Sequence, residues 1–184
     1  MSVVPWVLSC WTVRTVMGGD VQRSAVLSND GLYRYELTRM WDNEKRAAVW
    51  IMLNPSTADD DADDPTILRC ISFSKAWGYG GIRVVNLYAL RSTDPAALKR
   101  HPDPVGPLND WHIKLAAGYS SRPVIAAWGT KAEASRAAAV ADLIGPRLMC
   151  LVKTKHGHPK HPLYVKGDTQ PVPWTRAEKQ GMAS

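Results

Sequence analysis

The run AAVWIMLNPST, residues 47–57, decides the fold. Its first seven residues are continuously apolar, too few for a typical helix, and Asn54 with Pro55 stops them. That is the pattern of a strand buried on both faces. Working outward, residues 24–39 (SAVLSNDGLYRYELTR) predict a hairpin, with Asn29, Asp30 and Gly31 at the turn. On the other side, Asp64 as N-cap and Pro65 at the first helical position open a helix that Gly78 closes. IRVVNLYAL (82–90), PVIAAW (123–128) and LMCLV (148–152) repeat the buried-strand pattern. Helices are expected between them, over residues 104–118 and over the alanine-rich stretch 131–145.

Apolar strands alternating with helices predict an α/β domain: a three-layer sandwich with a short, mostly parallel central sheet and an N-terminal hairpin. In such a fold the loops leaving the C-terminal ends of the strands form the binding crevice. Those loops are LNPSTADDD, NLYALRS, WGTK and VKTKHGHPKHPLY, and the chain's unusual chemistry lies in them.

The 184 residues fit one domain, with a core over 24–174 and peripheral stretches 1–23 and 175–184. No stretch reaches the length of about 20 apolar residues that spans a bilayer, and the partly apolar start lacks a basic n-region, so no membrane association and a cytoplasmic location are expected. Cys10, Cys70 and Cys150 are too few and too scattered for a disulfide scaffold or metal knuckle. Lys plus Arg number 23 against 17 acids, a net charge of +6. From Arg147 to the end there are seven bases against two acids, whereas residues 58–64 hold five aspartates and no base. A basic surplus gathered in one region favours a polyanionic partner.

Asn54 can orient a water or tie down its own loop; Ser56 and Thr57 can cap or bind phosphate. Asp60 and Asp61 offer hard oxygen ligands for magnesium, although no metal-specific spacing surrounds them, and the blander role for the run is a solvated acidic loop with Asp64 as cap. Glycine-rich phosphate motifs and the GxSxG elbow are absent, which sets aside ATP, dinucleotide and esterase chemistry of those types. The densest signal is KTKHGHPKHPLY, residues 153–164. Its histidines lack a common zinc spacing, whereas Lys153, Lys155 and Lys160 suit phosphates and an imidazole suits a developing oxyanion. Trp128, Gly129, Tyr88 and Arg91 are expected at the same mouth, where an indole or phenol would wall a planar ligand beside Tyr164.

Taken together, YRYELTRMW, WIMLNPSTAD, DDPTILRC, VVNLYALRSTDP, AAWG and KTKHGHPKHPLY closely resemble an uncharacterised bacterial and phage family, domain of unknown function 1643. A second resemblance is to the uracil-DNA glycosylase superfamily, α/β sandwiches with an Asn-Pro or Asp-Pro element after the first core strand and a His-Pro element after the last. That resemblance implies Asn54 as the residue positioning the attacking water and His161 as the one stabilising the leaving base. His158 is the rival for that place, and Asn86 is the residue left to read the base. The chain has neither a glycine before Asn54 nor the His-Pro-Ser-Pro sequence of that superfamily.

The expected function is a nucleic-acid- or nucleotide-directed enzyme, most concretely N-glycosidic base release from DNA without a cofactor. The alternatives are a non-catalytic nucleic-acid or nucleotide-binding module and a magnesium-dependent enzyme built on the Asp59 to Asp64 loop.

Overall fold

The computed structural model describes residues 11–56, 63–94, 96–118 and 124–175. Thr57, Asp60 and Asp61 lie outside them. The elements run β1 (Trp11–Gly18), β2 (Val21–Ser28), β3 (Arg34–Met40), β4 (Ala47–Met52), α1 (Pro65–Ala76), β5 (Gly81–Asn86), α2 (Ala97–Arg100), α3 (Asn109–Gly118), β6 (Val124–Ala126), α4 (Ala134–Ile144), β7 (Leu148–Cys150) and β8 (Val172–Pro173).

One mixed sheet has the order β1-β2-β3-β5-β4-β6-β7-β8. Its centre, β5-β4-β6-β7, is parallel, because a helical crossover follows each of β4, β5 and β6. The β1-β2-β3 meander and β8 extend it antiparallel on either side. The hairpin expected at 24–39 is β2 and β3, and it is preceded by a further strand, β1, not anticipated from sequence. Most of β1 is exposed, so it lacks the apolar alternation that betrays a half-buried strand.

The apolar runs are continuous because both faces are covered. One face packs α1, through Ile67, Cys70 and Phe73, against Trp50, Ile82 and Val84. The buried indole N–H of Trp50 donates to Ser74 Oγ of α1 at 3.0 Å, which removes the cost of hiding it. The other face packs α3 and α4, through Ile113, Ala116 and Val140, against Val49, Ile51 and Val85. Asp64 caps α1 as expected, its Oδ1 accepting from Ile67 N at 2.8 Å.

The chain leaves β4 toward β5 on one side and later returns to place β6 on the other. The connections leaving the C-terminal ends of β4 and β6 therefore run to opposite sides, a reversal of strand order at which α/β sheets open a crevice.

Candidate functional site

A cleft of about 470 Å³ occupies that switch point. Asn54 and Ser56 enter it from the end of β4, Asp64 and Thr66 from the start of α1, and Trp128, Gly129 and Lys131 from the end of β6. His161 and Tyr164 close the far side. Asn54 and His161, distant in sequence, thus face one cavity.

Asn54 hangs from a loop that it also holds. Its Nδ2 donates to Pro55 O at 3.1 Å and to Ser92 O at 2.9 Å, which ties the β4 loop to the loop after β5. Both partners are carbonyls, so the nitrogen is fixed on their side and Oδ1 on the other. Among the described residues Oδ1 accepts from nothing.

Asn86 ends β5. The side chain of Asn109, wholly buried in α3, donates to the Asn86 and Leu87 carbonyls at 3.0 and 3.1 Å. Those bonds hold the strand end from the α3 face, and the side chain of Asn86 joins the cleft lining with Val84. Its carboxamide has no hydrogen bond among the described residues, so donor and acceptor are both available to a ligand edge.

His161 is half-buried and begins a 3-10 turn, Pro162–Tyr164. Its Nδ1 accepts from Leu163 N at 3.4 Å. A nitrogen that accepts carries no proton, so the neutral ring keeps its proton on Nε2. Burial holds its pKa below the ordinary histidine value, and Asp64 opposes that shift. The ring is therefore a neutral N–H donor near pH 7. Two contacts seat the segment: Gly129 N donates to Pro159 O at 3.1 Å, and Arg69 of α1 reaches the Val165 carbonyl. Gly129 adopts φ +74°, a turn that other residues rarely make.

Three charged residues join the cleft beside the expected ones. Arg34 is carried there by a bulge: between Val26 opposite Glu36 and Leu27 opposite Arg34 the ladder skips Tyr35. Bulges re-aim side chains in this way, and Arg34 joins the α1 face of the sheet. Lys131 follows Trp128 and Gly129 closely enough for the WGTK loop to have suggested it. Asp64, the expected cap and a member of the acidic run, also faces the cleft.

Several expected residues lie elsewhere. Tyr88 is buried beneath a neighbouring cavity, because the residues after Asn86 turn toward the α4 face. Arg91 donates to Gly31 O at 3.2 Å and steadies the β2-β3 turn. Lys153, Lys155, His158 and Lys160 do not line the cleft; the three lysines are exposed on an arm, residues 153–160, closed by a Lys153 to Pro159 bridge. Trp128 is 2% exposed and packs edge-on against Trp174 at 5.3 Å, so it is cleft wall rather than a free stacking surface. The exposed ring at the rim is Tyr164. Among the described residues no three of His, Cys, Asp and Glu converge as metal ligands would, and no helix is long and apolar enough to cross a membrane.

The model of a family described as protein of unknown function (DUF1643) matches residues 34–163. The chain belongs to that family. The match opens at Arg34 and closes at Leu163, so it contains the cleft except for Tyr164. No curated protein and no solved structure matches the chain.

Proposed function

We propose that this DUF1643 protein binds a nucleobase carried on a nucleic-acid strand and cleaves its N-glycosidic bond. The observation that carries the proposal is the pairing, in one cleft, of an unengaged acceptor, Asn54 Oδ1, with a neutral donor, His161 Nε2–H. A water held by Asn54 Oδ1 is oriented toward the sugar carbon, and orientation alone lowers such barriers substantially. The leaving base gathers negative charge on its carbonyl oxygen, and His161 donates to it from a partly desolvated position. Asn86 offers both halves of a carboxamide to the base edge, and Tyr164 stacks at the rim. The arm lysines meet flanking phosphates outside. The roles proposed for Asn54 and His161 are taken from the resemblance of their sequence elements to those of uracil-DNA glycosylases.

The test is release of free base from oligonucleotides bearing deaminated, mismatched or alkylated bases. Release by the wild type and its loss, by about 100-fold or more, in His161→Ala is the expected outcome. Tight binding of every oligonucleotide with release from none overturns catalysis and leaves a binding module, a role for which Asn54, held by its own loop, is also suited.

A further inference from the structure

A second cavity, about 440 Å³, adjoins the cleft on the α4 side of the sheet. The two are separated only by a ridge of Leu53, Thr130 and Lys131, which line both. Leu53 leaves β4 and the other two leave β6, so the ridge stands on the switch point itself. Lys131 is exposed and is the cation common to both lobes.

The second lobe has apolar sides, from Leu53, Leu98 and Pro104, and a polar end made by Tyr88. Glu133 begins α4 without a side-chain cap. The Tyr88 phenol and Glu133 line the same lobe. The Tyr88 hydroxyl carries one proton to donate, and among the described residues it donates to none. Burial, with Glu133 nearby, raises its pKa and keeps it a donor at every physiological pH. Lys99 stands at the outer rim.

An apolar slot with one fixed donor at its end suits a planar ring that carries an acceptor. Lobes of nearly equal volume fit two units of like size better than one unit with a small appendage. A cation on the ridge between them fits an anionic link. We propose that the two lobes form one site for two consecutive nucleotides, the linking phosphodiester lying on Lys131 and the flanking base in the lobe of Tyr88. This rests on the nucleotide reading of the cleft and names its substrate as a strand rather than a mononucleotide.

The experiment is competition against a short fluorescein-labelled single strand of mixed sequence. Competitors are the deoxynucleoside 5′-monophosphates, uracil included, and the 5′-phosphorylated dinucleotides containing the same bases. In wild type the best dinucleotide is expected to compete about tenfold better than its mononucleotide, the scale of one more seated base. Ala96→Trp places an indole in the second lobe from an exposed, helical-backbone position, and Lys131→Ala removes the ridge charge. Each is expected to bring the dinucleotide-to-mononucleotide ratio close to one. A wild-type ratio of one, or a ratio unchanged by Ala96→Trp, overturns the two-nucleotide site. If that happens while Asn86→Ala still weakens every competitor, the cleft's nucleotide reading survives alone. If neither strand nor mononucleotide binds wild type, both fall together.

Discussion

The cleft and the arm beside it are built on opposite principles. The cleft is made of residues that look ordinary in sequence, an Asn here and an Arg there, each aimed by a strand end, a bulge or a helix cap. The arm concentrates lysines and histidines within a few residues, yet Lys155 and Lys160 are exposed and outside the cleft. Only the residues just beyond it, His161 and Tyr164, reach the cavity. In the proposed function, the dense charge of the arm gathers a polyanion and the fixed geometry of the cleft does the chemistry. The two regions should respond differently to mutation.

The largest difference is expected in stability. Asp63, at the start of the cleft's α1 wall, accepts from Arg39 Nε at 2.7 Å and Arg23 Nη1 at 3.1 Å. Arg39 is 0% exposed. Removing Asp63 leaves a buried cation short of its counter-charge, so Asp63→Ala should cost about 3 kcal/mol, near 10 °C in melting midpoint. Substitutions in the exposed arm should shift it by less than about 0.5 kcal/mol. Equal shifts would erase the contrast between a built wall and a solvated arm.

The next effect separates histidines of the frame from those of the site. His112 in α3 is 2% exposed, stacked on Tyr35 at 4.7 Å, with neither ring nitrogen bonded among the described residues. Burial pushes its pKa down to about 4 from an ordinary 6.5. The unfolded chain then binds more protons than the folded one within that interval, so stability falls as pH drops from about 6.5 to about 4. His112→Phe should remove much of this acid loss in melting curves and raise the midpoint at pH 5 by several degrees. An unchanged pH profile would mean that another group controls acid unfolding.

The smallest effect belongs to the arm. Neutralising Lys153, Lys155 and Lys160 together should weaken strand binding about tenfold at low salt and flatten its salt dependence by up to about three phosphate contacts. Parallel salt titrations of the variant and the wild type would take the arm out of the interface.

Much of the frame was legible because its signals are local. Continuous apolar runs gave the four central strands, and Asp64 with Pro65 gave the start of α1. The placement of Asn54, His161 and Gly129 at one mouth followed from the rule that strand C-termini form the crevice. The rest depended on partners far along the chain. Arg34 enters the cleft through a bulge defined only by its pairing with β2, and Tyr88 leaves it because Asn109 and Arg136 take the carbonyls at the end of β5. The basic arm is conspicuous because its residues are adjacent in sequence, and adjacency says nothing about which side chains reach a cavity. β1 is an exposed edge strand, whose sparse apolar pattern carries little information.

The division of labour between cleft and arm is tested most directly by single-turnover base release, at saturating protein, alongside equilibrium binding of the same oligonucleotide. Asn54→Ala should lower the release rate by about 100-fold with affinity nearly unchanged, since orienting water acts in the transition state. The triple lysine variant should bind about tenfold more weakly and release base at the wild-type rate once saturated. If Asn54→Ala instead loses affinity and keeps its rate, or the lysine variant loses its rate at saturation, the cleft is not where the chemistry is done.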